Sequence, residues 1–259
     1  MNIWFRLQSY LIFWWRSSNQ HGVHSPFVFR WVTQCLYAPK STHWKTWMAW
    51  RKQLLSATHT FELTDFGAKS SRSESNFRTQ SQLVRWAGTS PLKAQLLIQN
   101  AAYFQPKTVL ELGTSLGLGT YAFHLGNPES QITTLEGDPA IQQHVATLFK
   151  QLHCENIVSQ CIQFQDWLCE PNLSNSFDLI FFDGHHQGDA MLRYAKQLLR
   201  CTHEGTLWIW DDIYWSVSMK QAWDEVCTWP EVTVSVDTFH LGFLFFRTGQ
   251  AKEHFVIRV

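Results

Sequence analysis

The sequence predicts an α/β protein with a mostly parallel sheet of seven strands, helices on both faces and an aromatic-rich helical extension at the N-terminus. Three observations support this prediction. Aliphatic and β-branched runs alternate with helical patterns from residue 90 onwards, as in strands joined by crossover helices. A glycine-rich turn follows the first of these strands. Five successive strands then end in an acidic residue or run directly into one.

The composition limits the classes of protein to consider. The 259 residues are 45% hydrophobic and 16% charged, which suits one large domain with an appendage. The 21 basic residues equal the 21 acidic residues, and this balance weighs against nucleic acid as a partner. Six cysteines without a C-x-x-C pair predict reduced, buried thiols in a cytoplasmic protein. We predict no signal peptide and no transmembrane span.

Residues 1–60 are predicted to form helices. Apolar residues recur every three or four positions between Ile3 and Trp15 and give one apolar stripe. We expect this helix to pack on the main domain or on a second subunit of a homodimer, with peripheral membrane contact as the alternative. His21 and His24 precede a helix start at Ser25-Pro26, and a packing or capping role is favoured over a metal site.

Residues 61–89 are predicted to be a loop. The stretch from Asp65 to Ser73 is rich in glycine and serine and carries clustered cations, and Arg78 and Arg85 extend it. Two interpretations stay open. The segment is a solvated loop, or it is a mobile cover that brings basic residues to an anionic cofactor or substrate.

Residues 90–259 are predicted to form the main domain. Its helices begin at polar residues followed by proline, as at Ser90-Pro91 and Asp138-Pro139. The last two strands, joined by a short turn, predict a hairpin at the sheet edge. The predicted helices span 92–104, 120–125, 139–153, 189–200 and 216–227, and the predicted strands span 108–112, 131–135, 158–164, 177–182, 206–210, 232–237 and 242–247.

The segment from Thr108 to Thr120 reads T-V-L-E-L-G-T-S-L-G-L-G-T and is the centre of the predicted site. A strand that enters a glycine-rich turn and then a helix brings backbone N–H groups close to a ligand. Residues 117–122 match the dinucleotide pattern G-x-G-x-x-G/A, but the match is displaced from the strand end at Leu112. A glycine-rich turn without a ligand is the remaining alternative.

The pattern E-x-G-x-x-x-G-x-G over residues 111–119 resembles the first motif of class I S-adenosylmethionine-dependent methyltransferases. The resemblance covers about residues 90–248 and implies a Rossmann-like fold that binds S-adenosylmethionine. It implies that Glu111 offsets the cationic methionine end, that Glu136 accepts the ribose hydroxyls and that Asp166 holds the adenine amino group. The other cofactor contacts that it implies come from Gly113, Thr114, Ser115, Gly117, Gly137 and Asp183.

The acids after the fourth and fifth strands narrow the resemblance to the catechol O-methyltransferase-like branch. Asp183 and the pair Asp211-Asp212 fall where such enzymes hold a divalent cation, so the resemblance implies Mg²⁺ bound by these three aspartates. Asp212 departs from the usual asparagine, and no lysine base follows Asp183. We predict Asp183 and His185 as catalytic residues, with His186 as the other candidate base. The alternative is a metal-free site in which the acids cap helices.

The sequence therefore predicts methyl transfer to an oxygen of a small-molecule acceptor. Methylation of RNA or DNA is a second possibility, but residues 182–185 read F-D-G-H where amino-directed nucleic-acid enzymes usually carry Asn/Asp-Pro-Pro-aromatic. A non-catalytic module that binds the cofactor and docks a partner or membrane is the alternative from a different class.

Overall fold

The computed structural model describes residues 3–63, 76–170 and 176–259. The helices are α1 (Ile3–Arg16), α2 (Pro26–Trp31), α3 (Thr42–Ser56), α4 (Gln80–Trp86), α5 (Pro91–Phe104), α6 (Leu118–Gly126), α7 (Pro139–Gln151), α8 (Phe164–Leu168), α9 (Gly188–Leu198) and α10 (Val217–Thr228). The strands are β1 (Thr60–Glu62), β2 (Phe77–Thr79), β3 (Thr108–Leu112), β4 (Gln131–Glu136), β5 (Ile157–Cys161), β6 (Leu179–Phe182), β7 (Leu207–Asp211), β8 (Val234–Asp237), β9 (Leu241–Phe245) and β10 (Glu253–Val256).

The strands confirm the predicted α/β architecture with a mostly parallel sheet. Eight of them form one sheet in the order β10-β8-β9-β7-β6-β3-β4-β5. The pairs β4–β5, β6–β7 and β8–β10 are parallel, whereas β9 is antiparallel to both of its neighbours, β7 and β8. Strands β1 and β2 form a separate antiparallel pair.

One strand of the large sheet was not predicted. The hairpin of β8 and β9 exists, but it does not form the sheet edge, because β10 pairs with β8 on the outer side. Strand β10 is only four residues long, and none of its residues is fully buried. A short strand of this kind lacks the long apolar run by which the other strands were recognised.

The chain divides into two compact units, and β3 contributes residues to both. The first unit comprises Met1–Ala38, Thr108–Leu110 and Leu168–Val259, and the second comprises Pro39–Lys107 and Glu111–Trp167. The predicted N-terminal extension is therefore not one body. Its first helices belong to the first unit, and α3 belongs to the second unit.

Aromatic side chains form much of the core of the first unit. The ring of Trp31 on α2 lies 5.0 Å from the ring of Phe243 on β9, and both residues are buried. Trp210 on β7 faces the buried Trp223 of α10. A Cβ atom at Gly242 would lie 2.4 Å from the Trp223 ring, so this close approach of helix and sheet requires glycine.

In the second unit, helix α3 packs on α6. The buried indole of Trp47 donates a hydrogen bond to the carbonyl of Leu118 at 2.9 Å, and the ring of Trp50 lies 4.7 Å from that of Tyr121. Helix α5 packs against α6 so closely that a Cβ atom at Gly126 would lie 2.5 Å from the Cβ of Ala101. These contacts bury the apolar face of α6.

The region predicted as a loop, residues 61–89, contains regular structure on both sides of its centre. Its end forms β2 and α4, and Thr79 and Gln82 make a reciprocal capping box at the start of α4. Arg78 is buried, so it does not act as the exposed cation that a mobile cover would present. The glycine- and serine-rich stretch 65–73 lies outside the described residues.

Two of the three predicted helix caps have the expected hydrogen bonds. Ser90 accepts from the N–H of Lys93, and Asp138 accepts from the N–H groups of Ala140 and Ile141. Ser25 occupies the N-cap position of α2, but its hydroxyl instead accepts from Gln250 Nε2 at 3.1 Å.

The prediction of buried thiols is wrong for two cysteines, because Cys161 and Cys169 are exposed. All six cysteines are free, as expected. Among the helices of the described residues, none has the length and apolarity needed to cross a membrane.

Candidate functional site

The end of β3 lies beside the end of β4. The N–H groups of Gly113 and Thr114 donate to the carbonyl of Leu135 at 3.0 and 3.1 Å, while Gln131 N–H donates to Lys107 at the opposite end. The two strands therefore run in the same direction, and their carboxyl ends meet. In an open parallel sheet, this is the edge at which ligands bind.

The turn between β3 and α6 depends on left-handed backbone. Gly113, Ser115 and Gly117 have φ angles of 104°, 47° and 71°. A Cβ atom at Gly117 would also lie 2.6 Å from Phe149 Cζ and 2.9 Å from Val145 Cγ2. Glycine at residue 117 is therefore required by both backbone conformation and space. Since α6 begins at Leu118, the third glycine of the motif, Gly119, lies inside the helix and not in the turn.

The carboxylate of Glu136 holds this turn in place. Its Oε2 accepts the N–H of Ser115 at 2.8 Å, and its Oε1 accepts the N–H of Asp138 at 2.9 Å. Burial raises the pKa of Glu136, and these backbone hydrogen bonds oppose that rise. Each carboxylate oxygen can accept a second hydrogen bond, and Glu136 is partly exposed. The side chain can therefore still accept two hydroxyl groups of a ligand.

Glu111 lies beneath the turn with no exposed surface. Its Oε2 accepts from the hydroxyls of Thr120 and Thr134, the latter at 2.6 Å. Its Oε1 is buried and has no hydrogen-bond partner among the described residues. Burial raises the pKa of Glu111 to about 7, against the lowering effect of the two threonines. The predicted role of Glu111, offsetting a cation, stays a prediction.

Two further predicted residues flank the end of β4. A Cβ atom at Gly137 would lie 2.5 Å from Gln163 Nε2, so the Gln163 side chain packs closely against this glycine. Asp166 lies on the short helix α8 after β5 and is exposed, with its N–H donating to Gln163. The second unit thus brings Glu111, Gly113, Thr114, Ser115, Gly117, Glu136 and Gly137 to the ends of β3 and β4, with Asp166 beyond β5.

The first unit carries the second group of predicted residues at the ends of β6 and β7. These strands are parallel with Phe182 opposite Trp210, so Asp183 and Asp211 lie at the same edge. One oxygen of each aspartate and one ring nitrogen of His186 all lie within 4.8 Å of one another. Asp211 is buried, whereas Asp183 and His186 are partly exposed. These residue types are common metal ligands, and we call this group the Asp183–His186–Asp211 cluster.

Two predicted residues lie outside this cluster. Asp212 has a left-handed backbone, with φ of 49°, and its N–H donates to the carbonyl of His240 at 3.1 Å. The exposed His185 places its ring 5.8 Å from that of Tyr194. Partial burial lowers the pKa of His185, and neighbouring His186 and Arg193 lower it further. His185 is thus held in the neutral form that a general base requires.

The loops after β6 and β7 contain strained backbone. His185, His186 and Asp212 have φ angles of 67°, 35° and 49°, although none of them is glycine. Each such residue costs on the order of 1–3 kcal/mol, and strain of this kind concentrates at functional sites. His186 was predicted only as the other candidate base. The adjacent histidines after Asp183 were the available signal, but spacing alone does not show which ring turns towards the acids.

The chain is similar in sequence to known methyltransferases. Residues 110–213 match a family model described as a methyltransferase domain. Two curated relatives are each 25% identical to the chain: O-methyltransferase hkm8 of Aspergillus hancockii over 155 residues and caffeoyl-CoA O-methyltransferase of Stellaria longipes over 154 residues. The alignments cover 56% and 57% of this chain but 59% and 63% of the relatives. The chain therefore spans about three fifths of the length of these relatives.

A solved structure supports the same fold. The methyltransferase of Podospora anserina bound to SAH has a TM-score of 0.54 at 18% identity, over 61% of this chain and 80% of that chain. The likeness confirms the predicted Rossmann-like arrangement.

The buried Glu111 predicts a specific pH dependence of stability. Its folded pKa of about 7 lies above its ordinary value of 4.5, so its stabilising contribution is present at low pH and is lost as pH rises through 7. In Glu111→Gln we expect this loss to disappear. Between pH 5 and 8, the free energy of unfolding of the variant should therefore fall by about 2–3 kcal/mol less than that of the wild type. Urea unfolding across this pH range measures the effect.

Glu129→Gln is the matched control, because Glu129 is exposed. It should keep the pH dependence of the wild type. If Glu111→Gln and wild type lose stability equally over this range, the proposed burial of an ionisable Glu111 is wrong.

Proposed function

We propose that this chain, whose residues 110–213 match a methyltransferase domain, transfers a methyl group from S-adenosylmethionine to an oxygen of a small molecule. One observation supports the cofactor most directly. The carboxylate of Glu136 fixes the turn after β3 through Ser115 N–H, yet it retains acceptor capacity for a vicinal diol such as a ribose. A small-molecule acceptor does not require a large net charge on the protein, and the chain has equal numbers of basic and acidic residues.

On the cofactor side, the second unit would bind and orient. When bound, S-adenosylmethionine supplies a methyl group that is already activated by its sulfonium charge. Glu136 would accept the ribose hydroxyls, and the partly exposed Gly113 and Ser115 would bring backbone close to the ligand. Gly137 allows the close packing of Gln163 at the same edge. Asp166 would hold the adenine amino group.

For the acceptor, the residues after β6 and β7 would hold the hydroxyl and take its proton. Transfer would form a bond from the acceptor oxygen to the methyl carbon and break the carbon–sulfur bond, with the electron pair going to the sulfur of S-adenosylhomocysteine. The hydroxyl proton passes to a base, for which His185 is proposed because its pKa is lowered. A divalent cation at Asp183 and Asp211, for which Mg²⁺ was predicted with Asp212, would orient substrate oxygens and lower the hydroxyl pKa.

The acceptor is proposed to be a small hydroxyl compound. One of the relatives is named a caffeoyl-CoA O-methyltransferase, so catechol-type phenols are the first acceptors to test. Methylation of RNA is less well supported, since the chain has no net charge and carries F-D-G-H at residues 182–185. A non-catalytic module would not need two aspartates and a histidine with donor atoms within 4.8 Å of one another. Cytoplasmic location is proposed on the six free cysteines.

Glu136 provides the test of the cofactor site. Replacing it by glutamine removes the charge that would receive the ribose hydroxyls but preserves its shape. Charge-assisted hydrogen bonds contribute about 1.5–3 kcal/mol, so we expect Glu136→Gln to weaken S-adenosylhomocysteine binding about 10- to 100-fold. Isothermal titration measures this change, and Glu129→Gln should bind as wild type does.

The methyl-transfer step is tested with S-adenosylmethionine labelled in its methyl group and a panel of catechols, simple phenols and sugars. Label found in a hydroxyl acceptor supports the proposal. Cofactor binding without transfer to any acceptor of the panel, or transfer to RNA instead, would contradict O-methylation of a small molecule.

Helix α1 supports a second, separate proposal of peripheral membrane contact. Phe13 is buried against Phe239, but Trp4 is 80% exposed and Trp15 is 83% exposed. The helix carries arginine and no acidic residue. Exposed tryptophan together with arginine is typical of helices that lie in the headgroup region of anionic membranes. The other large apolar side chains exposed on α1 are Ile3, Leu7, Tyr10, Leu11, Ile12 and Trp14.

Vesicle sedimentation tests this surface. We expect wild type to bind phosphatidylserine-containing vesicles and the double variant Trp4→Gln, Trp15→Gln to bind at least about tenfold more weakly, because buried apolar area drives such binding. Trp86→Gln is the control, since Trp86 is exposed on a different helix. No vesicle binding by wild type, together with a dimer in sedimentation velocity that the double variant loses, would assign α1 to a homodimer interface instead.

A further inference from the structure

We infer that the Asp183–His186–Asp211 cluster binds a divalent transition metal ion, such as Mn²⁺, Fe²⁺, Co²⁺ or Zn²⁺, in preference to Mg²⁺, with His186 as a nitrogen ligand. This differs from the predicted site in both ligand and ion, because His186 takes the place assigned to Asp212. The inference rests on the proposed function only for the part that the ion plays in methyl transfer. Binding of the ion itself stands on the cluster alone.

The spacing of the three side chains fits ligands of one ion. Their donor atoms lie within 4.8 Å of one another. Metal–ligand distances for nitrogen and carboxylate oxygen are about 2.0–2.2 Å, which places neighbouring ligands about 3–4 Å apart. Small side-chain rotations therefore suffice to complete the site. The two carboxylates also repel each other at this separation, and a divalent cation between them offsets that repulsion.

The chemistry of the donors selects the class of ion. Mg²⁺ prefers oxygen ligands and retains several waters. Imidazole nitrogen instead suits Zn²⁺, Fe²⁺ and their neighbours in the first transition row. Exchanging a third carboxylate for a histidine therefore weakens the preference for a hard ion. Mixed sets of histidine and carboxylate are typical of transition-metal sites.

His186 is held in a position that suits a ligand. Its ring lies 5.5 Å from that of Trp215, and its N–H donates to the carbonyl of Gly184 at 2.9 Å in a left-handed conformation. Its Nδ1 is buried and makes no hydrogen bond within the described part of the chain. A buried polar atom without a partner destabilises the folded protein, and a metal bond at this nitrogen would offset that cost.

Two residues next to the cluster, Asp212 and His185, are not members of it. The N–H of Asp212 donates to the carbonyl of His240, and the Asp212 carboxylate is not part of the cluster. His185 packs against Tyr194. Each of these residues is adjacent in sequence to a proposed ligand, so His185 and Asp212 offer matched control positions.

The test measures ion binding to the full chain without cofactor or acceptor. Co²⁺ is the probe, because its visible absorption reports the ligand set, and Mg²⁺ is titrated in parallel by calorimetry. We expect wild type to bind Co²⁺ at least about tenfold more tightly than Mg²⁺. His186→Ala should weaken Co²⁺ binding about 10- to 100-fold and shift its absorption bands, with a much smaller effect on Mg²⁺. His185→Ala and Asp212→Asn should each stay within about threefold of wild type.

Three outcomes overturn the inference. Wild type binds neither ion, or it binds Mg²⁺ as tightly as Co²⁺, or Asp212→Asn rather than His186→Ala loses the ion. Thermal unfolding of His186→Ala checks that the variant is folded, and Asp211→Asn provides a second variant that should also weaken Co²⁺. Binding of S-adenosylhomocysteine is measured separately. Failure of the metal site leaves that binding intact, whereas failure of the proposed function abolishes it in wild type while Co²⁺ still binds.

Discussion

The hydrogen bonds of the Glu136 carboxylate are the constraint on which the candidate cofactor site depends. One oxygen accepts Ser115 N–H from the turn after β3, and the other accepts Asp138 N–H at the start of α7. Two loops from separate strand ends are thereby tied to one side chain. Bonds of this charge-assisted kind are about twice as strong as neutral ones, so the turn is ordered before any ligand binds. Preorganisation of this kind lowers the entropy cost of binding.

Gly117 and the buried Glu111 also support the turn between β3 and α6. Gly117 can adopt its left-handed backbone and leave room for Phe149, which no other residue can do without strain. Glu111 has no exposed surface, and the hydroxyls of Thr120 and Thr134 satisfy only one of its oxygens. A buried carboxylate of this kind costs stability that apolar residues would not. We interpret it as a group retained for the site and not for the fold.

Much of the fold was predictable because local signals agreed with the architecture. The polar caps before Pro91 and Pro139 located two helix starts, and the alternation of strands and helices indicated a parallel sheet. Strand β10 was missed because its four residues carry no apolar run, and α4 because a capping box was not recognised in a serine-rich region. In the site, the residue types were visible, but the choice between His185 and His186 depends on two left-handed φ angles that no spacing reveals.

The most direct test of the central claim is calorimetric titration of the wild-type chain with S-adenosylhomocysteine and, separately, with NAD. Both ligands contain a ribose, which Glu136 is proposed to bind, but they differ in where the glycine-rich turn lies relative to the strand end. The turn spans residues 113–117, ahead of the displaced dinucleotide pattern, and this favours the methyltransferase cofactor. We predict micromolar binding of S-adenosylhomocysteine and no detectable binding of NAD. Binding of NAD alone, or of neither ligand, would contradict the assignment of this turn to S-adenosylmethionine.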